Sequence, residues 1–261
     1  MIAVENLEVV YPGGTHALHP VSLRFERGAF TVLLGSSGAG KSTLLRALNG
    51  LVRASAGHIA SDAEGRLDGS RALTRHRRRT GMIFQHHHLI GRASVLDNVL
   101  TGRLSFHGSL RTLLPFSRVE KEHALTAIDR VGLIDYALRR ADALSGGQQQ
   151  RVGIARALVQ DPDLILADEP VASLDPTTAD KVLGLLHGIC TEDGLTAIVS
   201  LHQLDFARRY ADRIVGLARG RVVFDGPPRA LGANEIRAIY GTGVLKADPL
   251  DDQPQLTGTY S

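Results

Sequence analysis

The sequence predicts an α/β protein built around a mainly parallel sheet, and three observations predict it. Four short apolar runs, Phe30 to Leu34, Met82 to Phe84, Leu164 to Ala167 and Thr196 to Val199, are nearly unbroken rather than alternating, the pattern of strands covered on both faces. Helical patterns stand between them, at Ser42 to Asn49, Val119 to Val131, Gln148 to Val159 and Thr177 to Ile189, so strand and helix alternate. A glycine-rich stretch, GSSGAGKST, joins the first run to the first helical pattern.

Taken in order, MIAVENLEVVYPGG reads as a strand and turn, without the basic-then-apolar pattern of a secretory leader. LEVVY and LRFERG flank the PGG turn, and GHIASDAEGRLDG follows the first helix with several turn signals, so an N-terminal antiparallel β subdomain is expected at a sheet edge. From His86 to Ala143 the pattern turns helical, with a turn-rich GRLSFHGS and no strong strand signal, which predicts an inserted α-helical subdomain over 86–143. Residues 1–241 then form one domain, and the Pro-, Gly-, Asp- and Thr-rich segment 242–261 is expected to be a disordered tail or to lie over the surface.

Composition excludes several classes. With 43% hydrophobic residues in 261, the chain can bury a full core. Cys190 is its single cysteine, so no internal disulfide forms and a reducing compartment is the natural reading. No run approaches the ~18 apolar residues of a membrane helix. Thirty basic against 27 acidic residues leave a net charge of +3, too even a balance to argue for nucleic acid.

Gly35, Gly40, Lys41 and Ser42 fit G-x-x-x-x-G-K-[ST] between a strand and a helix, the context that makes a phosphate cradle. Glycines let successive N–H groups point inward at phosphate oxygens, Lys41 adds a point charge, and the Ser42 hydroxyl can ligate Mg²⁺. The positive end of the following helix dipole faces the same anion. In an open α/β sheet ligands bind beyond the carboxyl ends of the strands, and three other runs end there in polar residues: Gln85, the pair Asp168 and Glu169, and His202. Asp168 is placed to partner the Mg²⁺ held by Ser42, usually through a water. Glu169 can polarise a water attacking a γ-phosphate. His202 can hold that phosphate, and Gln85 can sense metal and water. Each has an ordinary reading too, as a turn before Pro170 or a structural histidine; their convergence on one edge argues for function.

In ALSGGQQQR, Ser145 and Gln148 have capping-box spacing, yet Gly146 and Gly147 between them serve no cap and would let an anion approach the helix start. One chain has use for one nucleotide, so a second phosphate-binding surface points to a site made by two chains.

These segments together resemble the ATP-binding cassette ATPases. GSSGAGKST, including Ser36, Ser37, Gly38, Ala39 and Thr43, is similar to their Walker A, Gln85 to the Q-loop, LSGGQ to the signature, LILADE to Walker B, Ser173 to Asp175 to the D-loop, and His202 to the switch histidine. The resemblance runs from about Met1 to Gly241 and implies a P-loop NTPase (RecA-like) core. It also implies Tyr11 as the aromatic that stacks on adenine, although edge packing would suit a tyrosine there equally well. It implies a head-to-tail dimer with ATP between the phosphate loop of one copy and Ser145, Gly146, Gly147 and Gln148 of the other, closed by ATP and opened by hydrolysis.

One cassette without membrane helices or a heptad arm fits an importer subunit, peripheral to the cytoplasmic face of the cell membrane. It would dock on membrane permease subunits near Gln85 and the helical insertion, with a periplasmic or extracellular binding protein completing the complex. NVLTGRLSFHGSLRTLLPFS, HQLDFARRYADRIVGLARGRVVFDGPP and IRAIYG are similar to the phosphonate-import subfamily. Phosphite or a phosphate ester is the alternative cargo, and a non-transport cassette linked to phosphonate breakdown the alternative role. His86, His87 and His88 do not converge as metal ligands on extended or helical backbone. Arg75, Arg77, Arg78 and Arg79 are expected to form an exposed basic face.

Overall fold

The structure is a computed structural model that describes residues 1–85, 88–107 and 115–241. The segment 242–261, expected as a tail, lies outside the described residues, as do His86 and His87.

β1 (Ile2–Val10) and β2 (His16–Phe25) pair antiparallel. β3 (Phe30–Leu34) opens a second sheet, and α1 (Lys41–Leu48) follows it across the glycine loop. β4 (Ala56–Ser61) and β5 (Gly65–Arg66) return to the first sheet, whose order is β2-β1-β4-β5. The alternation of buried residues in β1 changes phase, from Ile2 and Val4 to Leu7 and Val9, and the cause is a bulge. Asn6 turns left-handed there (φ 47°), and the backbone of Gly57 in β4 fits against the bulge so closely that a Cβ would lie 2.2 Å from the Asn6 carbonyl oxygen. Pro20, which has no N–H to give a ladder, sits in β2 at the sheet's edge.

α2 (Ser70–Arg78) leads into β6 (Thr80–Ile83), so the run read as Met82 to Phe84 is a strand that begins earlier and ends one residue sooner. Residues 88–107 and 115–143 hold α3 (Val95–Leu100), a 3₁₀ segment at Thr101–Phe106, α4 (Arg118–Arg130) and two single-turn 3₁₀ segments, with no named strand among the described residues. α5 (Gly146–Leu158), β7 (Leu164–Asp168), α6 (Pro176–Glu192) and β8 (Thr196–Leu201) follow in the expected alternation. Four further elements, α7 (Leu204–Tyr210), β9 (Arg213–Ala218), β10 (Arg221–Gly226) and α8 (Ala233–Tyr240), complete the order.

The second sheet runs β10-β9-β3-β8-β7-β6, parallel throughout except for the β9–β10 hairpin. Its two faces belong to two different cores. Phe30, Val32 and Leu34 of β3 pack with Ile165 and Ala167 of β7 and Ala197 and Val199 of β8 on the side of α3 to α8. Leu33, Leu166 and Ile198 point the other way, toward α1 and the antiparallel sheet. Period-two side chains buried on both faces produce the unbroken apolar runs.

Of the arginines around α2, Arg75, Arg77 and Arg79 are exposed as expected and Arg78 is half-buried, but all four have partners. Arg75 pairs with Glu64 at 2.6 Å, Arg77 donates to the Asn49 and Gly50 carbonyls at 3.0 and 2.5 Å, Arg78 donates to Ser105 O at 2.7 Å, and Arg79 pairs with Asp163. Each guanidinium ties α2 to another segment, because short polar loops leave carbonyls and carboxylates within its reach.

Gly57→Ala should therefore lower unfolding stability by about 2–3 kcal/mol, since the new Cβ meets the bulge and φ at residue 57 is +74°. Asn6→Gly keeps a residue suited to the left-handed turn and should change stability by less than about 1 kcal/mol; calorimetry of both variants checks the pair.

Candidate functional site

The site starts from the end of β3. After Leu34 the chain turns back at Gly35, where a Cβ would lie 2.4 Å from the Leu217 carbonyl oxygen on neighbouring β9. Ala39 N–H donates to Ser36 O at 3.2 Å, leaving Ser36, Ser37 and Gly38 as the exposed tip. Gly40 caps α1 in the left-handed region (φ 104°), and a Cβ there would meet Ala17 O and Leu18. Glycine as cap offers no side-chain acceptor, so the first N–H groups of α1 are left for an anion.

Lys41 is only 3% exposed. Its ammonium donates to Gly35 O at 2.7 Å and Ser36 O at 3.0 Å, with His202 Nδ1 at 3.3 Å and Glu169 Oε1 at 3.6 Å. Burial pulls its pKa down, partly opposed by Glu169 and Asp168. Phosphate oxygens in the loop would add negative charge beside it and favour the charged form, so Lys41 gives the loop a preference for polyanions.

β7 delivers two carboxylates in succession. In an extended strand they would point to opposite faces. Glu169 instead adopts a left-handed backbone (φ 48°), which turns it back to the loop side. Asp168, 3% exposed, accepts from Ser42 Oγ at 2.7 Å and from Ser200 Oγ at 3.0 Å, and its second oxygen lies 3.7 Å from Arg46. Ser200 Oγ also accepts the Glu169 N–H at 2.8 Å, so one hydroxyl fixes both acidic residues across the β7–β8 register. Sequence reasoning missed Ser200; its one signal is a hydroxyl within the apolar run TAIVSL, two residues before His202.

His202 follows β8 with its Nε2 2.5 Å from Glu169 Oε1 and its Nδ1 3.1 Å from Gly35 O. Nε2–H can donate to the carboxylate, while Nδ1 stands between the Gly35 carbonyl, which only a protonated Nδ1 could reach as donor, and the Lys41 ammonium at 3.3 Å, from which only a bare Nδ1 could accept. Tyr240 Oη donates to the His202 carbonyl at 2.7 Å from α8, and burial pushes that phenol up to about 12. Tyr240 is the second positioning group the motif search passed over.

The other sequence candidates stand around this cluster. Gln85 lies two residues beyond β6 on the same sheet edge but is exposed, beside Gly91, Asp142, Gln149 and Ser173, and no hydrogen bond among the described residues joins it to Ser42 or Asp168. Tyr11 reaches Thr43, its hydroxyl 3.3 Å from Thr43 Oγ1. Ser145 caps α5 with the expected reciprocal bonds to Gln148. Gly146 is exposed, as anion access requires, but Gly147 is buried, and a Cβ there would meet Thr178 Cγ2 at 2.5 Å. Its bareness is thus demanded by close packing of α5 on α6, a reason that sequence spacing did not reveal.

Ser42 and Asp168 offer two hard oxygen donors, and no cluster of three metal-binding side chains exists among the described residues. Such a pair suits Mg²⁺, which keeps several waters and takes its remaining oxygens from a nucleotide.

Comparison with known proteins shows the family. The ABC transporter family model matches residues 18–172. A phosphite import ATP-binding protein, PxtA of Stutzerimonas stutzeri, is 62% identical over 240 residues, covering 92% of this chain and 87% of its own. A phosphonates import ATP-binding protein, PhnC 3 of Nostoc sp., is 56% identical over 241 residues and 92% of each chain. An ATP-binding cassette solved as a dimer in a post-hydrolysis state with ADP and Pi superposes with a TM-score of 0.76 at 34% identity, covering 88% of this chain and 99% of that one. The chain is thus an ATPase and belongs to the ABC transporter family.

Proposed function

We propose that this chain is the motor subunit of an importer for phosphorus oxyanions that carry one non-oxygen substituent. The observation that carries the ATPase chemistry is the convergence of Lys41, Glu169 and His202 beside the Ser42–Asp168 pair. Glu169 accepts a proton from the attacking water, and its contact with His202 Nε2 keeps the carboxylate aimed at the loop. Lys41, the loop N–H groups and the start of α1 hold the phosphates. Mg²⁺ on Ser42 and Asp168 would neutralise charge on the phosphate oxygens. Gln85 lies at the edge to sense that geometry, and Tyr11 is placed to stack on the adenine.

A second copy, head to tail, supplies Ser145, Gly146, Gly147 and Gln148 to the opposite side of the nucleotide. The helices of the 86–143 insertion, next to Gln85, are the part that docks on membrane permease subunits, leaving the chain peripheral on the cytoplasmic face of the membrane. An outer binding protein then presents the cargo. No helix among the described residues is long and apolar enough to cross a membrane; in this reading the pore is assigned to the permease partners.

The cargo class follows from the relatives' names. Phosphite is a tetrahedral PO₃ group with a P–H bond, and a phosphonate is the same group with a P–C bond, so both relatives act on one class of anion. The higher identity of the phosphite relative favours the smaller cargo as the second reading.

Three measurements bear on these proposals. Glu169→Gln should keep ATP binding while turnover falls by about 100-fold or more, the scale of a lost general base; near-normal turnover would show that another group activates the water. Ser145→Arg in the Glu169→Gln background should leave nucleotide binding to the monomer intact and abolish ATP-driven dimers in size-exclusion chromatography. Cells carrying Lys41→Ala should lose uptake of labelled 2-aminoethylphosphonate, and in wild-type cells phosphite should compete with that uptake while phosphate competes poorly. Equal competition by phosphate would move the cargo outside this class.

A further inference from the structure

Three consecutive glutamines open α5, and their amides are used differently. Gln148 closes the capping box, accepting the Ser145 N–H at 2.9 Å while its own N–H donates to Ser145 Oγ at 3.4 Å. Gln149 Nε2 donates to Ala141 O at 3.1 Å and Leu144 O at 3.2 Å, holding the incoming chain. Gln150 is 1% exposed, and neither its Nε2 nor its Oε1 has a hydrogen-bond partner. Asn49, Arg103 and His107 also carry an unpartnered buried atom, but each makes another side-chain hydrogen bond. Among the described residues, Gln150 alone buries a whole amide that does nothing in this conformation.

An idle buried amide is destabilising where a methionine of similar shape would not be. Its surroundings indicate a use for it. Gln150 lies three and four residues after Gly147 and Gly146, on the same helical face, and a helical side chain leans over the turn that precedes it. The bare positions of those two glycines face Thr178 at the start of α6 and Leu174 in the turn that leads to it. The 171–175 turn lies beside that helical face through Leu174, and among the described residues the Ser173 N–H and the Ala172 and Ser173 carbonyls make no backbone hydrogen bond. At its near end the turn is tied to Glu169, because Ala172 N–H donates to Glu169 O at 3.2 Å.

We propose that Gln150 is a positioning residue whose amide takes hold of the 171–175 turn when ATP closes the dimer, so that a nucleotide arriving at Ser145 is felt at Glu169 of the same chain. This rests on the two-copy reading given above. Gln150 touches neither nucleotide; it links the surface that completes the second copy's site to the general base that works in its own.

The test is Gln150→Met, with Gln150→Leu as a second apolar variant, made in the wild-type chain and in the Glu169→Gln background. Removing the idle amide should raise Tm by roughly 2–4 °C. In the wild-type background kcat should fall roughly fivefold to tenfold with KM for ATP unchanged, and in the Glu169→Gln background ATP-driven dimerisation should weaken by a similar factor. A more stable protein that works less well is an outcome a purely structural glutamine does not give. Unchanged kcat and dimerisation would overturn the inference, as would a fall in Tm or loss of folding in both variants, since the amide would then already be bonded in the single chain. If the Glu169→Gln parent itself forms no ATP-driven dimer, the two-copy reading fails and the role of Gln150 falls with it. A parent that dimerises equally well with and without Gln150 refutes the Gln150 role alone.

Discussion

A buried ammonium is the constraint on which the rest of the site depends. Lys41 is removed from water at the start of α1, and a charge so placed is tolerated only with close compensation. The compensation comes from four groups in three parts of the chain: the Gly35 and Ser36 carbonyls, Glu169 after β7, and His202 after β8. Each must arrive within about 3 to 4 Å, so three neighbouring parallel strands have to end at one level. Sheet register is in this sense an electrostatic requirement. A one-residue slip of β8 against β7 would move His202 away from Glu169 and separate Ser200 from Asp168.

The two carboxylates show how one strand end is given two tasks. Asp168 remains in strand geometry, with both oxygens occupied by Ser42, Ser200 and Arg46. Glu169 leaves it through a left-handed residue, a conformation costing about 1 kcal/mol or more for a side chain with a Cβ. The Ser200 hydroxyl offsets part of that cost by accepting the Glu169 N–H. Strain and its support lie on adjacent strands, next to the phosphate loop.

Much of this was legible in the sequence because burial on both faces leaves an unmistakable pattern. Where β3, β7 and β8 pack into two cores their residues read as unbroken apolar runs, and the polar residue that ends each run marks the ligand edge. β10 was missed because it is an edge strand with one open face, and its residues alternate between exposed and half-buried. β9 was missed because Gly216 interrupts it, and only the fold reveals that Ile239 of α8 occupies the place of a Cβ there. Gly147 misled for the same reason, since close approach of two helices leaves no trace in either helix's own sequence. The left-handed turn at Glu169 was equally hidden, because Asp-Glu-Pro is compatible with several backbones. The exposure of the arginines around α2 was legible, but their pairing was not, because the partners are 11 to 84 residues away along the chain.

The hydrogen bond from Tyr240 to the His202 carbonyl places α8 in mechanical series with the phosphate site. Ile236 and Ile239 root the same helix in the core, and Ile239 presses on β9 beside the phosphate loop. The backbone held by this hydroxyl belongs to the residue whose ring contacts Glu169. The Tyr240 hydroxyl thus acts as a strut between the last described helix and the end of β8.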